Sequence, residues 1–472
     1  MLLTLAAGAG MVLLRPDPRP VARGPSVVLV VIDTLRADRL TQYGHGRDTS
    51  PAFAELAAQA TRFASCYAPA PWTSPSTASI HSGLVPARHQ SLDHGDQLSA
   101  EVETLAERLY AEGWTTAGFS LNHNVSEKLR FDQGFEVFED VEHKVTAYAD
   151  AEVLVERATD WIEGLDGLGE PNEPDEMGRR PFFLFLQPMN CHGPYRVPDG
   201  RRSALLGRAP DDSFRYFKGP MKAILKEGKL KRRAAVDEDY LTSLQEQYDT
   251  AVRYTTDQVA ALFDELKARG LYDDALIVVT SDHGDEFFEH GGFGHGFSLH
   301  REVLHVPLFI KLPGQREGRT VTERVGLVDL YPTVLEVLGL EPPDGLDGDS
   351  LVELMRPPAS GAAPGVDWER RVLSAQVLWD KRCTARSILA WPYKLIHIED
   401  NYEGARDELR LYDLARDPGE TDDLAPREPE LAAELARLLE ARFEAYASES
   451  LAIPDNVLDS MDEDVLRDLG YL

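Results

Sequence analysis

The sequence predicts an α/β fold, in which helices flank a large, mainly parallel β-sheet, followed by a small C-terminal α+β subdomain. Continuous apolar runs rich in β-branched residues alternate with helical patterns between residues 26 and 345, as expected for parallel strands covered on both faces. Polar residues of metal-binding types follow several of these runs. A segment rich in Pro, Gly and Asp at 341–370 then separates this part from a region of short strands and one helix.

The length of 472 residues corresponds to about three domain lengths. A hydrophobic fraction of 43% is sufficient for a large core. We predict a signal or anchor with a linker at 1–25, the main domain at 26–345, a linker at 346–370, and a C-terminal subdomain of antiparallel strands and a helix at 371–472.

The individual elements are predicted from hydrophobic periodicity. Val27 to Ile32 reads as a strand buried on both faces, whereas Pro51 to Phe63 carries apolar residues at helical spacing behind Ser50 as a cap. The other predicted elements are a helix at 101–112, strands at Thr115–Ser120, Pro181–Leu186, Ala275–Thr280 and Val306–Leu312, a long helix at Asp237–Arg269 closed by Gly270, short strands within Arg371–Tyr412, and a helix at Pro429–Tyr446.

One stretch places a hydroxyl group beside a predicted helix terminus. Ser74 before Pro75 is typical of an N-cap and a first helical position, and Gly83 is typical of a helix end. Thr73 would then lie just ahead of the helix, where unpaired N–H groups and the helix dipole stabilise negative charge. An ordinary capped helix without catalytic function is the alternative interpretation.

Polar side chains follow three of the predicted strands. Asp33 comes directly after the first strand, His192 lies in the loop after Pro181–Leu186, and Asp282 and His283 follow Ala275–Thr280. Ligands of open α/β sheets bind beyond the carboxyl ends of the strands. We therefore expect these residues to meet at one edge of the sheet, although a single histidine of this kind is more often structural.

Asp33, Asp282 and His283 supply two carboxylates and an imidazole, and Thr73 would complete a site for one divalent ion. This mixture of ligands favours Mn²⁺ or Zn²⁺, since Ca²⁺ prefers oxygen ligands, but Ca²⁺ or Mg²⁺ stays open. Coordination would lower the pKa of the threonine hydroxyl and make it a nucleophile.

Histidines surrounded by glycines supply the remaining candidate catalytic groups. His192 and His295 could bind the oxygens of a tetrahedral anion or protonate a leaving group. His290, His300 and His305 have no assigned role and are interpreted as mostly structural.

The net charge of −31 limits the class of partner. It argues against nucleic acid and against an anionic membrane surface, but not against a small anionic or a lipid- or glycan-linked ester, because a metal ion can invert the local field. The basic cluster from Lys218 to Arg233 is either a solvated helix face or a contact for an anion. Three cysteines fit neither a disulfide framework nor a zinc motif.

The apolar run from Met1 to Leu14 ends at Arg15 and is shorter than the roughly 20 residues that span a bilayer. It suits the apolar core of an export signal, although no basic residue precedes it. We expect an exported protein, periplasmic or extracellular, either free or anchored in a membrane at its N-terminus, with a cytoplasmic location as the alternative.

Several motifs along the chain belong together. They are Val28–Asp33 with Tyr43-Gly44, Thr73-Ser74-Pro75-Ser76 with Ser82-Gly83, His192-Gly193-Pro194-Tyr195, Tyr248-Asp249 to Asp257, Thr280–Gly284, Gly294-His295-Gly296 ahead of Val306-Pro307, Leu411–Leu414 with Asp417–Glu420, and Leu466–Tyr471. From about Ser26 onward the chain thereby resembles the sulfatase family of the alkaline phosphatase-like superfamily. The resemblance implies this fold, a divalent metal ion and hydrolysis of an ester.

The chain departs from the family pattern at residues that carry the chemistry. Sulfatases use a Cys or Ser that is oxidised to formylglycine, and Thr73 stands at that position, with Thr77 at the position of the motif's arginine. Thr34 replaces the second Asp of the family's Asp-Asp pair. His295 aligns with the later active-site lysine, and the earlier lysine has no clear counterpart around Gly118 to Asn124.

These departures favour chemistry at phosphorus. Threonine cannot yield the formylglycine aldehyde, and a threonine ester must be cleaved by attack at the central atom, which phosphorus accepts more readily than sulfate sulfur. We therefore expect a phosphoester, phosphonate or phosphodiester substrate. A sulfatase that works without formylglycine and an inactive binding protein are the alternatives. The loops at 121–145 and 196–236, which would form the leaving-group pocket, carry no motif that identifies the substrate.

Overall fold

The computed structural model describes residues 19–20, 22–140, 150–165, 180–198, 200–202, 238–356, 365–379, 383–400 and 406–457. The run Met1 to Leu14, the basic cluster from Lys218 to Arg233 and the motif Leu466–Tyr471 lie outside these residues. So do residues 141–145 of the first predicted pocket loop and all of the second except 196–198 and 200–202.

An eight-stranded sheet forms the centre of the main domain, and it confirms the predicted α/β fold with a mainly parallel sheet. Its strand order is β10-β2-β9-β6-β1-β5-β3-β4, and its neighbouring strands are parallel except where β9 pairs with β2 and β6. The strands are Val27–Val31 (β1), Thr61–Tyr67 (β2), Thr115–Ser120 (β3), Val137–Asp140 (β4), Phe182–Gln187 (β5), Leu276–Thr280 (β6), His305–Lys311 (β9) and Arg319–Gly326 (β10), with a separate hairpin of Glu286–Phe287 (β7) and Phe293–Gly294 (β8).

Strand β1 lies in the middle of the sheet, and this position explains its apolar composition. Its residues are 0–1% exposed. Val27, Leu29 and Val31 pack into the hydrophobic core on one face of the sheet, whereas Val28 and Val30 pack into the core on the other. A strand with helices on both faces has no solvent-facing side, so its sequence is apolar throughout.

The helices cover both faces of the sheet. They are Ala54–Gln59 (α1), Thr73–Ser82 (α2), Pro86–His89 (α3), Leu105–Ala111 (α4), Ala151–Gly164 (α5), Glu238–Ala268 (α6), Arg301–Leu304 (α7), Leu330–Val337 (α8), Val352–Met355 (α9) and Pro429–Ser448 (α10), with short 3-10 turns at Ala37–Arg39, Thr41–Tyr43, Pro51–Phe53, Glu127–Leu129 and Leu327–Asp329. The long helix α6 ends as predicted, because Gly270 just beyond it adopts a left-handed conformation with φ of +67°. Among the described residues, none of the helices has the length and apolar character needed to cross a bilayer.

The predicted helix at Pro51–Phe63 is wrong in its second half. Helix α1 stops at Gln59, and the chain continues as β2. Strand β2 pairs with β9 on one side and with β10 on the other. These pairings satisfy the backbone of residues whose apolar spacing also fits a helix. Ser50 occupies the capping position of the first turn as predicted, but its hydroxyl makes no capping hydrogen bond and instead donates to Gln42 Oε1.

The C-terminal region contains an antiparallel sheet of Val372–Trp379 (β11), Cys383–Ala390 (β12), Tyr393–Asp400 (β13) and Arg406–Asp413 (β14), paired in chain order. Helix α10 packs on this sheet, as Leu439 and Phe443 share a hydrophobic core with Ile388 and Leu395. The sheet also contacts the main domain near the candidate nucleophile, because Gln376 N–H donates to Pro69 O at 3.0 Å.

Candidate active site at the ends of the parallel strands

Thr73 is the first residue of helix α2 and is fully buried. The sequence placed it one residue ahead of the helix with Ser74 as the cap, and this detail is wrong. Trp72 occupies the capping position with an extended backbone, and Ser74 Oγ instead donates to Asn124 O at 3.2 Å. Thr73 still lies in the first turn, where backbone N–H groups lack helical partners. Gly83 ends the helix with φ of +69°, as predicted.

The three predicted ligand residues Asp33, Asp282 and His283 meet at the ends of β1 and β6, and each is fully buried. One ligand atom from each lies within 4.8 Å of the other two. His283 Nε2 is 3.7 Å from Asp33 Oδ1 and 3.5 Å from Asp282 Oδ2. Thr73 Oγ1 lies 3.3 Å from the same nitrogen. The structure therefore brings all four predicted residues together.

The electrostatics of this cluster fit a divalent cation. Burial raises the pKa of Asp33 well above its usual value, and the charge of Asp282 raises it further. Burial likewise raises the pKa of Asp282 to about 7 and lowers that of His283 well below its usual value. Asp33 Oδ1 is buried and accepts no hydrogen bond from any described residue. Two buried carboxylates, one with a free oxygen, and a neutral imidazole are a donor set that a bound cation would stabilise.

Two amide side chains beside these residues were not predicted. Asn122 Nδ2 donates to Asp33 Oδ2 and lies 3.3 Å from Thr73 Oγ1. Gln187 Nε2 donates to Asp282 Oδ2 at 3.4 Å. Gln187 is the last residue of β5, and Asn122 lies two residues beyond β3. Both amides thus lie at the carboxyl ends of strands, as Asp33 does, and this position was the available signal.

His192 and His295 lie together on the other side of His283. The ring centroids of His192 and His295 are 4.8 Å apart, and those of His283 and His295 are 4.6 Å apart. His192 Nδ1 lies 2.7 Å from Gly193 O, and this contact orients the ring. Burial and the neighbouring His295 lower the pKa of His192 to about 3.

Asp285 is a further residue of the site that the sequence interpretation missed. It is 1% exposed, and its Oδ1 lies 2.7 Å from His295 Nδ1. Its Oδ2 accepts a hydrogen bond of 2.6 Å from Tyr195 Oη. The carboxylate thus fixes the orientation of His295 and favours the form that carries a proton on Nδ1. Its place two residues after His283 was the available signal.

The other two threonines at positions of family departure, Thr34 and Thr77, have different environments. Thr34 has φ of +57°; its backbone N–H donates to Asp282 Oδ1 at 3.2 Å, and its hydroxyl donates to Asp33 O at 2.8 Å. Thr34 thus supports the Asp282 carboxylate through its backbone N–H, whereas its hydroxyl contacts the main-chain carbonyl of Asp33. Thr77 Oγ1 is buried and has no hydrogen-bond partner among the described residues.

A backbone hydrogen bond links the loop that carries His295 to the segment that precedes Thr73. Gly296 N–H donates to Pro71 O at 2.8 Å, which ties the loop carrying His295 to the segment that leads into Thr73. Trp72 packs on His94 at a centroid distance of 4.5 Å. The positions of Thr73 and His295 are therefore coupled through their neighbours.

Known proteins match this chain over most of its length. Arylsulfatase K from Mus musculus is 24% identical over 93% of this chain and 84% of its own length. N-acetylglucosamine-6-O-sulfatase from Bacteroides thetaiotaomicron is 23% identical over 90% of this chain and 86% of its own. Among solved structures, a protein in complex with its substrate D-glucosamine-2-N,6-O-disulfate superposes with a TM-score of 0.71 at 20% identity, covering 90% of this chain and 99% of that one. A phosphonate monoester hydrolase of Agrobacterium radiobacter superposes with a TM-score of 0.67 at 20% identity, covering 89% and 96%.

Fold and relatives define the class of protein as an ester hydrolase with the alkaline phosphatase-like architecture. The sequence profile named Sulfatase matches residues 25–340, and that of the N-sulphoglucosamine sulphohydrolase C-terminal region matches residues 288–448. The chain belongs to the sulfatase family. The resemblance inferred from the motifs is thereby confirmed.

Proposed function

We propose that this protein is a metal-dependent hydrolase or transferase in which Thr73 attacks the phosphorus of a phosphoester, phosphonate or phosphodiester. One observation carries the proposal. The buried Thr73 Oγ1 lies at a helix N-terminus, 3.3 Å from His283 Nε2 and 3.3 Å from Asn122 Nδ2. A hydroxyl in this position lies beside the strand-end cluster, and negative charge that develops there is stabilised by the helix.

Asp33, Asp282, His283 and Thr73 would hold one divalent ion, with Mn²⁺ or Zn²⁺ as the preferred candidates and Ca²⁺ or Mg²⁺ as alternatives. When bound, such an ion supplies Lewis acidity that lowers the pKa of the hydroxyl and stabilises charge on the substrate. Asn122 and Gln187 hold the two carboxylates in place through their amide groups.

The chain's own residues account for each bond change. With the ion bound, Thr73 would have released its hydroxyl proton to solvent, and Oγ would form a bond to phosphorus as the bond from phosphorus to the leaving oxygen breaks on the opposite side. His295, oriented by Asp285, gives its proton to the leaving oxygen, and His192 contacts the oxygens of the substrate. His295 then takes a proton from water, whose oxygen attacks phosphorus and releases Thr73. An alcohol in place of water would make the protein a transferase.

The nature of the nucleophile supports phosphorus over sulfur. The hydrate of formylglycine has a second hydroxyl group that expels sulfate, whereas a threonine ester can be released only by attack at the central atom. The structural similarity to phosphonate monoester hydrolases of Agrobacterium radiobacter and Silicibacter pomeroyi supports the idea that this fold accommodates phosphorus esters.

Hydrolysis of a sulfate ester is the second candidate. It is favoured by the names of the relatives, which include Arylsulfatase K and N-acetylglucosamine-6-O-sulfatase. In either case the substrate is a small anionic or a lipid- or glycan-linked ester. Export from the cytoplasm is part of the proposal and rests on the apolar run from Met1 to Leu14.

The purified protein should be assayed on p-nitrophenyl phosphate, bis(p-nitrophenyl) phosphate, p-nitrophenyl phenylphosphonate and p-nitrophenyl sulfate after loading with Mn²⁺ or Zn²⁺. We expect turnover of at least one phosphorus ester, and a loss of about 10³-fold or more in Thr73→Ala, because the nucleophile is removed. Thr77→Val is the matched control, since it removes a buried hydroxyl without a partner from the same helix.

Turnover of the sulfate without any activity on phosphorus esters would defeat the preference for phosphorus. Equal activity of Thr73→Ala and the wild type on every substrate would defeat the role of Thr73.

A further inference from the structure

A second cluster of metal-ligating side chains lies outside the site around Thr73. His290 belongs to the loop between β7 and β8, His300 precedes helix α7, and Glu302 lies within that helix. Glu420 comes from the C-terminal region beyond β14. The cluster therefore lies where the C-terminal sheet meets the main domain, and no step of the proposed reaction uses it.

The donor atoms of this cluster converge. One ring nitrogen each of His290 and His300 and one carboxylate oxygen of Glu420 lie within 4.8 Å of one another. The two imidazole rings stack with centroids 3.7 Å apart and an angle of 9° between their planes. His290 Nε2 is 3.2 Å from Glu302 Oε2. The set thus contains two imidazoles and two carboxylates from three separate parts of the chain.

An unused oxygen points to a missing partner. Glu420 is 1% exposed; its Oε1 accepts a hydrogen bond of 2.8 Å from Lys394 Nζ, but its Oε2 has no hydrogen-bond partner among the described residues. A buried carboxylate oxygen without a partner costs free energy. The backbone of Glu420 has φ of +54°, which a non-glycine residue adopts at some cost. This residue is held in an unfavourable conformation that places its carboxylate beside the two histidines.

The formal charges of the cluster are compatible with a bound cation. Two stacked imidazoles this close together would repel each other if both carried a proton, so at least one is neutral and able to donate a lone pair. Glu302 and Glu420 bring two negative charges, and Lys394 balances one of them.

We propose that His290, His300, Glu302 and Glu420 form a second cation site that takes Zn²⁺ and joins the C-terminal sheet to the main domain. Two imidazoles and two carboxylates match the nitrogen and oxygen ligands of four-coordinate zinc, and a set with no open position is typical of a structural site. Ligand atoms around such an ion lie roughly 3.3 Å apart. Binding would therefore draw the four side chains closer together and tilt the stacked rings apart.

Neighbouring hydroxyl groups are placed to orient the ligands. Ser298 Oγ lies 3.0 Å from His300 Nδ1, and Tyr412 Oη lies 3.3 Å from His300 Nε2. Whichever nitrogen binds the ion, a hydroxyl contacts the other one, and Lys394 holds the second oxygen of Glu420. Such outer contacts fix the orientation of metal ligands.

The alternative explanation needs no metal. His290 with Glu302 and Lys394 with Glu420 would then be two ion pairs that stabilise the contact between the C-terminal sheet and the main domain. Metal content separates the two explanations, and it does so without reference to the reaction at Thr73.

The full-length protein is stripped with a chelator, loaded with ZnCl₂, passed through a desalting column and analysed for zinc by elemental mass spectrometry. Wild type is expected to retain about one equivalent more than Glu420→Gln or His300→Gln, and Asp282→Asn loses only the zinc held near Thr73. His397→Gln is the matched control, because it removes a histidine that pairs with Asp407 on the same C-terminal sheet but lies outside the cluster. This variant should bind as much zinc as wild type.

Reconstitution with Co²⁺ provides a second measurement for variants that fold poorly. In Asp282→Asn, the visible absorption of tetrahedral Co²⁺ is expected to appear, and to be absent when Glu420→Gln is added. Equal zinc content in wild type, Glu420→Gln and His300→Gln, with no tetrahedral cobalt spectrum in Asp282→Asn, would overturn the second site. The proposed function would be untouched by that result, since it depends on the zinc lost in Asp282→Asn.

Discussion

Replacement of Asp285 tests whether His295 acts on the leaving group. Asp285 contacts His295 Nδ1 at 2.7 Å and accepts a hydrogen bond from Tyr195 Oη at 2.6 Å. An asparagine in its place has one oxygen and one NH₂ group, so it cannot accept from both partners. If the amide nitrogen faces the imidazole, His295 must carry its proton on the other nitrogen and loses the tautomer that a carboxylate enforces.

The size of the effect follows from the contacts that are lost. A hydrogen bond to a charged group contributes about 1.5–3 kcal/mol, and 1.36 kcal/mol corresponds to a tenfold change in rate. Asp285→Asn should therefore lower kcat roughly 10- to 150-fold. KM should change little, because Asp285 does not lie among the proposed metal ligands. Tyr195→Phe keeps the carboxylate and its contact with His295, so its kcat should fall by less than about tenfold.

The assay compares leaving groups of different basicity. p-Nitrophenolate departs without protonation, whereas an alkoxide needs a proton as it leaves. If His295 supplies that proton, Asp285→Asn loses more kcat on an alkyl phenylphosphonate than on p-nitrophenyl phenylphosphonate. An equal fall in kcat on both esters, or a rise in KM without a change in kcat, would show that Asp285 supports the fold of the pocket and that His295 does not protonate the leaving group.

Two further predictions address the nucleophile and the cation. The double variant Thr73→Cys,Thr77→Arg restores the family motif. We expect formylglycine at residue 73 by mass spectrometry after co-expression with the maturing enzyme. An unmodified cysteine would count against the interpretation that Thr73 and Thr77 occupy the two key positions of the formylglycine motif. In the chelated protein, burial raises the pKa of Asp282 from 3.8 to about 7. Between about pH 4 and 7 the folded state therefore keeps a proton that the unfolded state has released. Because of this difference, the free energy of unfolding falls as pH rises from about 4 to 7. Tm of the chelated protein should fall between pH 5 and 7.5 less steeply in Asp282→Asn, and added metal should reverse the fall in wild type; parallel slopes would contradict the reasoning.

The central strands could be predicted from the sequence because strands buried on both faces have a distinctive, uninterrupted apolar sequence. Residues of β1 and β6 are buried on both faces, and their uninterrupted apolar runs cannot serve an exposed element. Strand β2 was missed because Phe63 also fits the helical spacing of the residues before it. Only the pairing of β2 with β9 and β10, which are far away in sequence, decides between the two. Local periodicity carries no information on that pairing.

The site was predictable in part for the same reason. Asp33, Asp282 and His283 follow strands that are neighbours in the sheet, and the rule on strand ends applies to each of them. Asp285 gained its role only through the folding of the loop that brings His295 and Tyr195 to its two oxygens. Which side chains a carboxylate contacts is set by loop geometry, and spacing in the sequence does not specify it.

The left-handed turn at Thr34 has a consequence for the kind of anion that the protein can accept. Where the family pattern has a second carboxylate, this chain has the uncharged side chain of Thr34, whose hydroxyl donates to Asp33 O, so Asp33 and Asp282 together would just neutralise a doubly charged ion. The positions of the motif's arginine and of the later lysine are Thr77 and His295, and this removes positive charge from the same cavity. For the proposed reaction at phosphorus, we therefore expect a singly charged ester, such as a phosphodiester or a phosphonate monoester, to be a better substrate than a doubly charged phosphate monoester.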